Sequence, residues 1–197
     1  MTADKAAEPR RRGAVRTEEL LRVTFELAAE VRYSDLTIAA VARRAGVGKH
    51  TIYRRWPTKS ELLLDALHRA LGSDLDYRDT GDVRADLREQ FVRSSAALLS
   101  PAIWPVYRAV IIAAQDDDAL RERLYQQFLA TIEQRTLDRL ASAQRDGELI
   151  ADADLTYPTE VLCGALYYRG LLSTRPVDEA AIDGLLDMFM AAYAVSP

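Results

Sequence analysis

Apolar positions recur at helical spacing along most of the chain. From Thr17 to Val31 they fall at Leu20, Leu21, Val23, Phe25, Leu27 and Ala28, which predicts an amphipathic helix capped by Thr17. Tyr33-Ser34-Asp35 breaks the stripe. Thr37 is the next cap candidate, ahead of Ile38, Val41, Ala42 and Ala45, again on one face. Gly46 stops this helix as a left-handed residue does, and Val47 is a short apolar plug. Lys49 to Arg55 predicts a second short helix with Ile52 and Tyr53 inward, limited by Pro57. Thr58 then opens a helix to Leu71, with Glu61 placed to complete a capping box.

The stretch Gly72 to Gly81 is polar and rich in Asp and Gly, and reads as a loop at a domain boundary. Helical patterns resume at Asp82–Leu99, Ala102–Gln115, Ala119–Gln144, Thr156–Ser173 and Val177–Val195. Between them stand Ser100-Pro101, Asp116 to Asp118, "RDGELIADAD" and "STRP". No strand pair or internal repeat is evident. The predicted fold class is all-α, with about nine helices.

Charge changes this picture by dividing the chain. Residues 1–70 carry 14 Lys and Arg against 9 Asp and Glu; the remainder carries 12 against 21. The segment from Thr37 to Trp56 holds Arg43, Arg44, Lys49, Arg54 and Arg55 and no acid, within a chain of formal charge −4. A basic first third on an acidic body suits a polyanionic partner. One cysteine, Cys163, and two histidines, His50 and His68, provide neither a disulfide framework nor a zinc cluster, so no metal or cofactor is expected. The longest apolar run, Met188 to Val195, is far short of a membrane span, and the N-terminus lacks the apolar core of a secretory signal. A cytoplasmic protein without membrane contact is expected. No GxSxG, HExxH or phosphate-cradling glycine loop is present, so an enzyme is not expected.

Two short helices joined by a glycine turn suggest a helix-turn-helix. Ala42 and Ala45 let the helices approach, while Val47 and Ile52 pin the pair. Lys49, His50, Thr51, Arg54 and Arg55 are left facing outward. Lys and Arg reach phosphates or guanine edges, and Thr reaches a phosphate or a thymine methyl. Arg10-Arg11-Arg12 is either a minor-groove arm or a solubilising tail.

The segment "AGVGKHTIYRRWPTKSELL" resembles the signature of the tetracycline-repressor (TetR) family of transcriptional regulators. Thr37, Ala45, Gly46, Val47, Thr51, Tyr53, Trp56, Lys59 and Leu62 fall in its register. The resemblance covers Thr17 to Leu71; beyond it lie helix count, chain length and "LYYRGLL". Gly48 stands where Ser is usual and His50 where Gly is usual. The resemblance implies a three-helix DNA-binding bundle (16–57), a connecting helix (58–72) and a ligand-binding, dimerising helical domain (73–197), preceded by the basic segment 1–15, expected as a flexible arm. It places Thr37, Tyr53 and Lys59 at phosphates and Lys49, Thr51 and Arg54 at bases or backbone of duplex DNA; the basic, outward-facing Arg44, His50 and Arg55 complete the candidate DNA-binding set.

The C-terminal body is expected to sense and dimerise. Phe91, Trp104, Tyr107, Tyr125 and Phe128 are the candidate lining of a pocket for an unknown small-molecule effector. The last two helices are apolar over most of their circumference, so a homodimer interface is expected there through Leu162, Leu166, Tyr167, Arg169, Leu186 and Met190. These readings combine into a repressor released from a palindromic operator by a small apolar ligand. The rivals are an enzyme, or a helical bundle whose basic segment binds an acidic protein.

Overall fold

The computed structural model describes residues 7–71 and 77–195, with side chains from residue 16 onward. The helices are α1 (Ala7–Glu30), α2 (Ile38–Ala45), α3 (Lys49–Tyr53), α4 (Lys59–Leu71), α5 (Val83–Leu98), α6 (Trp104–Ala114), α7 (Asp118–Leu124), α8 (Ala130–Arg145), α9 (Thr156–Leu171) and α10 (Glu179–Tyr193). A π turn, Tyr125–Leu129, joins α7 to α8, so the single helix expected over Ala119–Gln144 is one run with a local irregularity. Among the described residues, β-pairing is limited to one isolated bridge, Leu149 with Ala194.

The first helix begins at Ala7, ten residues before the expected Thr17 cap. Pro9 lies in its first turn, where a missing N–H breaks no intrahelical bond, so it does not stop the helix. Arg10, Arg11 and Arg12 belong to the helical backbone of α1. Residues 1–6 lie outside the described residues.

Two compact units result. One joins residues 1–72 with Pro101–Leu124; the other joins Ser73–Ser100 with Tyr125–Pro197. Within the expected span 73–197, α6 and α7 pack with the N-terminal helices, α6 resting on α4 and α1.

In the first unit, α4 buries Leu62, Leu63, Leu64, Ala66 and Leu67. Leu20, Leu21 and Val23 of α1 and Val106, Tyr107 and Val110 of α6 share that interior. The Thr58 hydroxyl accepts the Glu61 amide at 3.2 Å, as the capping pattern predicts.

The second unit is centred on Val83, Leu87, Phe91, Leu140, Leu162, Ile182, Leu186 and Phe189. Arg139 and Asp86 are buried beside that core. The Arg139 Nε donates to Asp86 Oδ2 at 2.9 Å and its Nη2 to Glu148 at 3.2 Å. Thr80 gives Asp86 both its amide and its hydroxyl. At the surface, Arg84 and Arg88 of α5 pair with Asp187, Asp183 and Glu179 of α10. No described helix is long and apolar enough to cross a membrane.

Candidate nucleic-acid interface

The turn between α2 and α3 is built from local rules. The Thr37 hydroxyl accepts the Ala40 amide at 3.1 Å and starts α2. Ile38, Val41 and Ala42 form its buried face. Gly46 has φ 64° and ψ 31°, a left-handed backbone that favours glycine. Around it the Val47 amide donates to Ala42 O at 3.0 Å and the Gly46 amide to Arg43 O at 3.4 Å. That pair of bonds is a Schellman motif, which satisfies the last carbonyls of α2 and reverses the chain sharply. Gly48 then caps α3 in extended conformation without a side chain.

Two side chains anchor the motif. Ile52 is completely buried. Trp56 is also buried, and its indole N–H donates to Asp65 Oδ2 at 2.7 Å; Asp65 in turn accepts from Arg123. Trp56 is therefore a plug that ties the end of the motif to α4. Tyr53, expected inward, is 51% exposed, because one turn of a five-residue helix turns Ile52 to the core and its neighbour away.

The structure sorts the cations of the first unit by partner. Lys49, His50, Thr51 and Arg54 are exposed on α3 and its end. Lys49, Arg54 and the α2 residue Arg43 have no carboxylate partner among the described residues. Arg43 was not anticipated as a site residue. It lies opposite the buried Ile38, Val41 and Ala42 face, a position that helical spacing alone could have revealed.

Other expected contacts are engaged within the chain. Arg55 donates to the Thr17 hydroxyl at 2.7 Å and lies 4.7 Å from the centre of the Trp56 ring. Lys59 is not a free phosphate ligand: its ammonium donates to the carbonyls of Tyr33 at 2.8 Å and Leu36 at 3.2 Å, and lies 4.1 Å over the Tyr33 ring. It closes the turn before α2, and this leaves one N–H for another partner. Arg44 makes a two-pronged ion pair with Glu30.

The remaining expected residues divide. Trp104 and Tyr107 lie in the first unit with ring centroids 6.2 Å apart, Tyr107 fully buried. Phe91 and Phe128 are buried in the second unit, and the partly exposed Tyr125 donates to Glu133 at 2.9 Å. The five aromatics thus fall in two units, with Tyr125 at the surface. Leu162 and Leu186 are fully buried in their own chain, so they are core rather than intermolecular contacts. Leu166 and Met190 pack against the same core. Tyr167 is half-buried, and Arg169 donates to Pro176 O at 2.7 Å.

What α9 and α10 leave outside is also apolar. Tyr157, Gly164, Tyr168 and Leu172 form one exposed stripe of α9; Gly184, Met188 and Ala191, with Val195 beyond the helix end, form one along α10. Each stripe lies opposite that helix's core-facing residues. The seven-residue steps Tyr157–Gly164 and Gly184–Ala191 carried that signal in the sequence.

Residues 20–66 match the family of bacterial regulatory proteins described as tetR, and residues 77–189 match the tetracyclin repressor-like C-terminal domain. An uncharacterized HTH-type transcriptional regulator of Mycobacterium tuberculosis is 32% identical over 175 residues, 87% of this chain and 84% of that protein. A DNA-binding transcriptional repressor TetR of Mycobacteroides abscessus is 33% identical over 181 residues, covering 89% and 92%. A crystal structure of a TetR family transcription regulator superposes with a TM-score of 0.72 at 34% identity, covering 91% of this chain and 97% of that one.

Proposed function

The chain belongs to the TetR family of bacterial transcriptional regulators, and on that premise we propose that it is a repressor acting as a homodimer on a palindromic DNA operator. The observation that carries the reading is the trio Arg43, Lys49 and Arg54. These cations stand on a tightly capped helix pair, exposed and without carboxylate partners among the described residues. Guanidinium and ammonium groups so presented reach phosphates and guanine edges, with Thr51 and His50 beside them for further contacts. The Tyr53 hydroxyl, on the exposed side, is a phosphate donor in the same reading.

Palindromic recognition follows from two-fold symmetry of the protein. The dimer face is the pair of exposed apolar stripes on α9 and α10, with Tyr168, Leu172 and Met188 as its centre. A small apolar effector bound by the C-terminal unit releases the operator by favouring the conformation that fits it less well.

The test is selection of bound fragments from genomic duplex DNA at low and near-physiological salt. The expected result is enrichment of one inverted repeat that persists at the higher salt. Sequence-blind binding that vanishes with salt leaves only the phosphate term and defeats the reading. With the selected site in hand, a panel of hydrophobic small molecules is screened for release of the duplex. Release by one compound series supports the effector mechanism, and no release across the panel counts against it.

A further inference from the structure

The geometry points to Glu30 as a specificity-setting residue, a carboxylate that occupies Arg44 and so lowers affinity for duplexes other than the operator. This inference rests on the DNA-binding reading above.

Glu30 is the last residue of α1, and Arg44 lies in the last turn of α2. Two guanidinium nitrogens meet the two carboxylate oxygens at 2.5 and 2.7 Å. This fork-to-fork geometry is the one by which arginine also grips a phosphate. The pair is unlike the other cations of the motif. Arg43, Lys49 and Arg54 have no carboxylate among the described residues, whereas Arg44 meets one from fourteen residues earlier. Arg22, also on α1, is paired with Glu19 and Glu26 and does not compete for Glu30. While Glu30 holds Arg44, the pair adds no net charge at the edge of the motif.

Both side chains are about half exposed. An ion pair in such a setting contributes little net stability and exchanges readily. A phosphate can therefore displace Glu30 where the duplex is held in register by the other contacts. In an unregistered encounter the carboxylate remains, neutralising one cation and presenting negative charge to the backbone. The penalty falls mainly on non-operator DNA, because the operator complex has other contacts to drive the exchange.

The experiment measures fluorescence anisotropy of the full chain with the selected operator and with a scrambled duplex of equal length, across a salt series. For Glu30→Gln, affinity for the scrambled duplex is expected to rise about five-fold at ~0.1 M salt. Its log–log salt slope should steepen by about 0.9, one further phosphate neutralised. Operator affinity should change less, so the ratio of the two falls. Glu30→Gln combined with Arg44→Gln should bind the scrambled duplex as Arg44→Gln alone does. The inference is overturned if Glu30→Gln leaves scrambled-duplex affinity and slope unchanged, or weakens them, since weakening means that the pair only braces α1 against α2. Thermal melts of both single variants separate that effect from loss of folding. If wild type and the Lys49→Ala, Arg54→Ala variant bind all duplexes alike, the DNA reading itself has failed. If only the Glu30 result is flat, the inference alone falls.

Discussion

At the scale of single residues, the most consequential groups are charges placed where water is scarce. Burial alone would raise the Asp86 carboxyl, but the Thr80 amide and hydroxyl and the Arg139 guanidinium outweigh it and hold it below the usual carboxylate range. A carboxyl depressed in the folded state adds stability that is present above its unfolded value near pH ~4. That stability is lost as pH falls through the lower folded value. Asp86→Asn should therefore lower stability above about pH 4, where the carboxylate contributes, and so flatten the rise on the acid side of the stability–pH curve. Arg139→Leu should cost about 3–5 kcal/mol, because it strands a buried carboxylate, and adding Asp86→Leu should restore much of the loss. Urea unfolding at several pH values reads both effects; an additive double variant would show that the two side chains are not coupled. Cys163 behaves in the opposite sense. Burial, with the nearby Glu133 charge, pushes its thiol up to about 11, so at neutral pH it is protonated and a poor nucleophile. Its labelling by a thiol reagent at pH 7 should be slow in the native protein and fast in denaturant. Fast native labelling would show that the thiol is far more accessible than the structure places it.

At the scale of elements, α2 and α3 show how short helices are held. Five residues are too few to be stable alone, so α3 depends on its tertiary anchors Ile52 and Trp56 and on the reversal at Gly46. Substitutions on its outer face should accordingly spare the fold. Lys49→Ala with Arg54→Ala is expected to lower operator affinity at least about 30-fold, on the scale of two lost contacts of about 1–3 kcal/mol each, with an unchanged melting temperature. Undiminished binding would remove α3 from the interface. This turn was also the part most legible in the sequence. The Thr37 and Thr58 caps and the left-handed Gly46 are each written in residues no more than five positions apart, and local rules suffice for them. The hold on the Lys59 ammonium is not legible locally, because it comes from carbonyls 23 and 26 residues earlier. The Arg44–Glu30 pair is not legible in the sequence, because Glu30 reaches Arg44 from fourteen residues earlier only once α1 is in place. The first turns of α1 carry no signal for a periodicity argument, because Glu8 to Gly13 is polar and basic and the apolar stripe begins at Leu20. The aromatics from Phe91 to Phe128 were grouped by nearness in sequence, whereas the chain deals them to two units.

At the scale of the molecule, the decisive question is how α9 and α10 divide their apolar residues between the chain's own core and a second copy. Hydrophobic count alone could not settle it, since both faces of each helix are apolar. Folding assigns Leu162, Ile182, Leu186 and Phe189 to the interior and leaves Tyr168 at 63%, Leu172 at 78% and Met188 at 57% exposure. Large apolar groups aligned on adjoining helices are a feature that soluble monomers seldom retain. The exposed Gly164 and Gly184, with open space where a Cβ would stand, allow a second chain to approach the backbone closely. The two classes of residue should fail differently. Leu162→Ala should destabilise each chain by about 2–5 kcal/mol through an internal cavity, and any loss of dimer should track unfolding. Tyr168→Glu with Met188→Glu should leave the helical circular-dichroism spectrum intact and yield a folded monomer by sedimentation. That monomer should bind an operator half-site weakly, since the second recognition helix no longer shares the cost of association. A double variant that sediments as a dimer would show that the stripes face solvent in the working molecule and that the two-fold axis passes elsewhere.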